Sequence, residues 1–273
     1  MSDVLMRTAM FVPGNRPERF AKALSCGADA VIVDFEDAVQ ESEKVAARQH
    51  LAQFLATDAN ARVWVRVNTV QHPQHAAELE FCARQTGVVG LLLPKAEHPA
   101  DVARAALSGK AIIPIIESAQ GLLELADIAR TTGVERLVYG GLDFSLDLGL
   151  VAGSDGAERM LDHVRFALLL HSRRAGLPPP LETVFARLDD EQGLAAFMTA
   201  AQGMGFAGML CIHPVQVGIV HQVMRPNALQ LSWAQRVLER AEQEAGAFQL
   251  DGQMIDAPVI QRARNLLAVS RTI

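Results

Sequence analysis

Ala111-Ile112-Ile113-Pro114-Ile115-Ile116-Glu117 is the stretch whose reading decides the fold. Six apolar residues in a row are too short for a solitary helix and too apolar for a loop. They predict a strand buried on both faces, as in a parallel sheet covered by helices. A carboxylate stands at the C-terminal end of that strand. Taking an ionised carboxylate out of water costs several kcal/mol unless it is paired, hydrogen-bonded or bound to a metal. The compensation expected for Glu117 is a divalent cation. The next apolar run, Arg136-Leu137-Val138-Tyr139, leads into Gly140-Gly141-Leu142-Asp143 and offers a second carboxylate at the same end. Neighbouring strands lie about 4.8 Å apart, so acids capping two of them can share one hard ion.

Working outward, the same rhythm recurs. Strand-like runs at Thr8–Val12, Ala30–Val33, Arg62–Asn68, Gly90–Leu93, Leu181–Val184 and Gly208–His213 join the two already named, and each is followed by a helical stretch. Eight such units predict an α/β fold of the (β/α)8 TIM-barrel type with a C-terminal helical extension, although a doubly wound open sheet reads similarly over any half of it. The barrel is expected over residues 1–225. The extension, 226–273, has Ser232 and Gln235 as a candidate capping box, a short extended turn over Phe248–Asp256 and a last helix opened by Pro258. It is too small for a core of its own and is expected to pack on its own barrel or, by preference, on a neighbouring subunit. Asp155 to Glu158 reads as a helix start. The chain of 273 residues carries a net charge of -6, which does not suggest a nucleic-acid or anionic-membrane partner. Cys26, Cys82 and Cys211 are scattered, in no disulfide or zinc pattern, and the N-terminus lacks the features of a secretion signal, so a cytoplasmic location is expected.

In such a barrel the loops after the strands build the active site. Glu117 with Asp143 is the leading pair, and two carboxylates that leave the remaining positions to water and substrate suit Mg²⁺. The plainer reading is that each caps a helix or pairs with Arg66 or Lys95. Arg66 at a strand end is a candidate for gripping a substrate carboxylate bidentately, against a simple salt bridge to Glu36 or Asp37. Asp34, Glu36 and Asp37 form an acidic cluster: Asp34 reads as an inward polar cap, and the other two as residues orienting Arg66 or metal-bound water. Lys95 reads as an ion-pair partner more than a Schiff-base lysine, and His213 as a structural histidine more than a base. Arg16, Arg19 and Lys22 are candidates for phosphate or for a solvated face.

Several motifs in one order, Phe11-Val12-Pro13-Gly14-Asn15-Arg16-Pro17, Gly27 to Val39, Val65-Arg66-Val67-Asn68, Leu93-Pro94-Lys95, Ile116-Glu117-Ser118-Ala119-Gln120-Gly121, Leu210-Cys211-Ile212-His213-Pro214 and Gly252 to Pro258, resemble the citrate lyase β-subunit-like family of the HpcH/HpaI aldolase superfamily, which includes malyl-CoA and citramalyl-CoA lyases. The resemblance implies a homotrimer or a dimer of trimers, Mg²⁺ on Glu117 and Asp143, and a substrate carboxylate on Arg66. It also implies that Asp256 enters the active site from an adjoining subunit, where it is expected to act as the acid or base; Glu36 and Asp37 are counted with the catalytic residues from their own place in the acidic cluster. Pro13, Arg16 and the Gly140-Gly141-Leu142 turn are expected on the substrate. One departure stands out: where the family commonly reads Gly-Ala-Glu-Asp-Leu, this chain has Gly140-Gly141-Leu142-Asp143-Phe144. The expected reaction is Mg²⁺-dependent cleavage of a carboxylated 3-hydroxyacyl-CoA to acetyl-CoA and a 2-oxo acid. The alternatives are a citryl-carrier-protein lyase subunit, a metal-dependent aldolase on free hydroxy-oxo acids, and a non-catalytic binding protein.

Overall fold

The computed structural model describes residues 6–244 and 246–272. Eight parallel strands close into a barrel in sequence order: β1 Thr8–Pro13, β2 Ala30–Asp34, β3 Val63–Arg66, β4 Val88–Leu93, β5 Ala111–Ile116, β6 Val138–Tyr139, β7 Leu181–Glu182 and β8 Gly208–Cys211. The α-helices between and after them are α1 Phe20–Leu24, α2 Lys44–Thr57, α3 His75–Arg84, α4 Pro99–Ala106, α5 Ala119–Leu123, α6 Leu125–Arg130, α7 Gly141–Asp147, α8 Asp155–Ala175, α9 Glu191–Met204 and α10 Pro214–Met224. The (β/α)8 expectation therefore holds. Among the described residues, no helix is long and apolar enough to cross a membrane.

Period-two alternation explains the core. Ile113 and Ile115 of β5 point into the barrel and meet Ile32, Trp64, Leu92, Val138, Leu181 and Leu210 from the other strands. Ile112 and Ile116 point the other way and are equally buried, under the helices. This is why the strand shows no polar alternation. Trp64 takes the space opposite a residue without a side chain: a Cβ on Gly90 would lie 2.1 Å from the Trp64 ring. Gly90→Ala is therefore expected to lower stability by about 1 to 3 kcal/mol, the usual penalty for overpacking, measured as a lower denaturant midpoint with an unchanged slope.

Two strands are shorter than expected. Arg136 lies outside β6, where its Nη1 donates to the carbonyl of Pro179 at 2.6 Å. Thr183 and Val184 lie beyond β7, and the Thr183 hydroxyl accepts the Gly141 N–H at 3.0 Å in place of continuing a ladder. Helix starts also shift slightly. The Ser154 hydroxyl, one residue before the expected start, accepts from Ala157 N and caps α8.

The chain divides after Val220 into two compact units. Taken by itself, the second contains α11 Ala228–Gln243, an antiparallel hairpin of β9 Phe248–Leu250 and β10 Gln253–Ile255, and α12 Ala257–Thr272. Ala234, Val237, Phe248, Ile255 and Ala263 form its buried centre. The capping box of α11 is Asn227 with Gln230, whose side chains bond reciprocally to the backbone at 2.9 and 2.8 Å. Ser232, the expected cap, lies inside the helix, because Asn227 directly after Pro226 takes the capping position first.

Candidate active site

Counting one alternation beyond the barrel core lands on the site. Ile32, Trp64, Ile115, Val138, Leu181 and Leu210 face inward, so Asp34, Arg66, Glu117, Gly140, Thr183 and Ile212, two residues further on, form the next layer at the C-terminal mouth. All six line one cavity of about 210 Å³, together with Phe11, Asp37, Gly141, Leu142 and Asp143. The turn that starts α7 places Asp143 on the lining of the same cavity as Glu117. Gly140 is essential to this arrangement: a Cβ there would stand 2.2 Å from Glu117 Oε2.

Glu117 is 6 % exposed. Its Oε1 accepts the backbone N–H of Lys95 at 2.7 Å, and Lys95, though not a glycine, has a left-handed backbone, φ 46°. That strained turn aims an N–H at the carboxylate. Even so, burial pushes the Glu117 carboxyl up to about 7; the Lys95 N–H opposes this, neighbouring Asp143 adds to it, and Arg66 and Lys95 pull it down. The Lys95 ammonium sits 3.8 Å from Asp143 Oδ1, the ion pair expected of it.

Arg66 is the hub of the opposite wall. Its Nε and Nη2 donate to the two oxygens of Asp34, each at 2.7 Å, and Nη1 lies 3.0 Å from Glu36 and 3.3 Å from Asp37. The guanidinium also stacks 4.9 Å from the Phe11 ring centroid. The forked edge expected to grip a substrate carboxylate is thus held by Asp34, and Nη1 faces Glu36 and Asp37, so all three nitrogens already have partners and a ligand meets the guanidinium chiefly as a positive charge. Glu36 is pushed up to about 8, first by burial, with Arg66 opposing and Asp37 and Asp34 adding to the rise. One guanidinium cannot compensate three carboxylates, so the upward direction stands although Glu36 touches Arg66. Burial alone would weaken the Arg66 charge, but Asp34, Glu36 and Asp37 outweigh it and hold the proton more tightly.

Other predicted residues lie elsewhere. Glu36 faces a neighbouring cavity with Lys44, Asn68 and His72. Pro13 ends β1 beside Asp34, and Arg16 follows with an exposed guanidinium paired to Glu18 at 3.0 Å; neither lines the cavity. His213 is exposed, and its ring nitrogen accepts the Val215 N–H at 3.3 Å in a structural role. Gly140 N bonds to Ile116 O and Gly141 N to Thr183, so those two N–H groups are spent within the protein. Asp256 belongs to the second unit, where its carboxylate accepts the Val259 N–H at 3.4 Å at the start of α12.

Sequence reasoning missed Thr183, Phe11 and Val184 in the cavity wall. It also missed the buried group beneath Gly141: Glu182 accepts the Tyr139 hydroxyl and the Arg165 Nε at 3.0 Å, and Arg165 reaches Asp162 at 2.9 Å. The alternation of β7 was the available signal, since it places Thr183 inward after Leu181.

The donor set fits a hard divalent cation. Glu117 and Asp143 are hard oxygen donors on one cavity wall, and the rise of the Glu117 carboxyl shows a buried charge that the surrounding protein undercompensates. Among the described residues, no cluster of three or more His, Cys, Asp or Glu forms a complete cage. Water and ligand must fill the remaining positions, as Mg²⁺ favours.

Comparison with known proteins places the chain. The family model described as HpcH/HpaI aldolase/citrate lyase matches residues 7–214. A citrate lyase subunit beta-like protein of Mycobacterium tuberculosis (strain ATCC 25618 / H37Rv) is 37 % identical over 261 residues, 94 % of this chain and 93 % of that protein. The mitochondrial citramalyl-CoA lyase of Rattus norvegicus is 28 % identical over 295 residues, 98 % of this chain and 86 % of that enzyme. The crystal structure of CitE from Mycobacterium tuberculosis in complex with magnesium, acetoacetate and coenzyme A superposes with a TM-score of 0.86 at 35 % identity, covering 97 % of this chain and 98 % of that one. By its motifs, its closed barrel and a family match across nearly all of that barrel, the chain belongs to the HpcH/HpaI aldolase/citrate lyase family.

Proposed function

We propose that the protein is a Mg²⁺-dependent carbon–carbon lyase that cleaves a carboxylated 3-hydroxyacyl-CoA, of the malyl-CoA or citramalyl-CoA type, to acetyl-CoA and a 2-oxo acid. The observation that carries this reading is the convergence of Glu117 and Asp143 with Arg66 on one cavity. Support also comes from relatives named as lyases and from a neighbour crystallised with magnesium and coenzyme A.

Bound Mg²⁺ would be held by Glu117 and Asp143 and would supply a Lewis acid for the hydroxyl and carboxylate oxygens of the substrate. Asp37, with a 64 % exposed side chain on the cavity, takes the hydroxyl proton on a carboxylate oxygen and passes it to water. The carbon–carbon bond then breaks. The hydroxyl oxygen becomes the carbonyl of the 2-oxo acid, and the bonding pair moves into the thioester as an enolate. Arg66, fixed by Asp34 and Phe11, presents positive charge to that enolate without reorganising. Asp256 from a neighbouring copy in a homotrimer or dimer of trimers delivers a proton to the enolate carbon, releasing acetyl-CoA.

A panel of acyl-CoA thioesters assayed with Mg²⁺ for released oxo acid tests the reaction. Turnover of free hydroxy-oxo acids in place of thioesters would overturn it. Mixing Glu117→Gln with Asp256→Asn protein is expected to restore activity that neither variant has alone, since mixed assemblies contain one intact site; no recovery on confirmed subunit exchange would place Asp256 outside the chemistry. Arg16 is proposed to meet a CoA phosphate from the rim. Arg16→Ala is then expected to raise KM for the thioester about tenfold with kcat unchanged, the scale of one charge-assisted hydrogen bond, read from saturation curves.

A further inference from the structure

We infer that Leu142 is a specificity-determining residue: with Val184 and Ile212 it forms an apolar wall that selects substrates carrying an alkyl group on the hydroxyl-bearing carbon, and rejects those carrying a second free carboxylate there. The inference rests on the lyase reading above and names the substrate class within it. Leu142 precedes Asp143 in the first turn of α7 and lines the same cavity, yet the residue is 60 % exposed. A leucine that exposed, on the lining of the cavity that holds the carboxylate pair, is available to contact whatever occupies that cavity.

Charge placement gives an independent argument. Among the described residues lining the cavity, Arg66 is the cation, set against Asp34, Asp37, Glu117 and Asp143. Its Nε, Nη1 and Nη2 are already engaged by Asp34, Asp37 and Glu36. Lys95 stands at Asp143 but does not line the cavity. A single substrate carboxylate can be accommodated beside the carboxylate pair when its cation is present. A second one, on the substituent, would meet Leu142, Val184 and Ile212 with no cation to receive it and acidic groups around it, and desolvating an unpaired carboxylate is heavily disfavoured. A methyl or other small alkyl group meets the same wall favourably.

The test compares three thioesters that differ only in the substituent on the carbinol carbon: hydrogen, methyl and carboxymethyl. Wild type with Mg²⁺ is expected to favour methyl over hydrogen in kcat/KM by about 10-fold or more, the range for one methyl-sized contact, and to turn over the carboxymethyl compound more slowly than either. Leu142→Ala should shrink the methyl preference, and Leu142→Arg should raise carboxymethyl turnover at least about tenfold relative to methyl. Leu142 is exposed, so circular dichroism should show both variants folded. Calorimetric binding of glyoxylate, pyruvate and oxaloacetate gives the same order without catalysis. If wild type cleaves thioesters but the substituent ratios are unchanged in both variants, Leu142 does not set specificity while the lyase reading stands. If none of the thioesters is cleaved and none of the oxo acids binds, both readings fall together.

Discussion

Glu117→Gln is expected to abolish turnover, by roughly 1000-fold or more, and at the same time to make the metal-free protein more stable above neutral pH. The first effect follows from losing one of two hard ligands, since Lewis-acid stabilisation is worth several kcal/mol and each 1.4 kcal/mol is tenfold in rate. The second follows from linkage. Glu117 is raised from 4.5 to about 7 by burial, so the folded state holds a proton that the unfolded state has released. Its contribution to stability is full below pH 4.5 and is lost as pH rises through about 7. At pH 8 the metal-free wild type therefore carries a penalty on the order of 3 kcal/mol that glutamine, uncharged and still able to accept the Lys95 N–H, does not. Added Mg²⁺ should reverse the order, stabilising wild type by mass action and leaving the variant unmoved. Thermal melts of both proteins at pH 6 and pH 8, with Mg²⁺ and with a chelator, check each step. A metal-free Glu117→Gln protein less stable than wild type at pH 8 would mean that Glu117 is compensated within the chain, and the metal assignment would lose its physical basis.

The barrel was legible because burial on two faces writes a simple pattern: Ala111 to Ile116 is continuous and apolar, and an acid ends it. The same period of two made Glu117 and Arg66 readable as mouth residues. Pairings across long sequence separations were not readable. Nothing in the chain announces that Arg66 takes Asp34 as its bidentate partner, 32 positions away, or that Tyr139 and Glu182 meet across 43. The short β6 and β7 escaped for a related reason. Leu137 to Tyr139, and Leu181 and Val184, mark strand character, while side-chain bonds to loops stand where the ladders end. Leu142 was visible as a departure from the family motif, but its consequence required knowing that Arg66, the cation among the described residues lining the cavity, is already engaged by Asp34, Glu36 and Asp37.

Arg66→Ala is expected to be the most destabilising single change in the site, and its cost should depend on pH. Deleting the guanidinium removes the counter-charge from Asp34, which is 1 % exposed at its side chain, and from Glu36 and Asp37, and breaking such a buried pair typically costs about 3 to 5 kcal/mol. Glu36 already sits at about 8 with Arg66 pulling it down, so without Arg66 it rises further. A raised carboxyl stabilises the fold below its unfolded value of 4.5 and loses that contribution as pH climbs through the folded value. The variant should thus go on losing stability well above pH 8, where Glu36 has finished titrating in wild type. Glu36→Gln in the wild-type background should flatten the same profile, since the group that titrates has gone. Arg66→Lys separates charge from geometry: an ammonium keeps a counter-charge near Asp34 and most of the fold, but it cannot span both carboxylate oxygens while presenting a fixed planar face over Phe11. Its activity should remain low even where its melting temperature recovers. Urea midpoints across pH 5 to 9 for the three variants, set beside kcat, distinguish the roles. Equal stability of Arg66→Ala and wild type at pH 8 would show that the three acids find other partners and that Arg66 is not the hub of that wall.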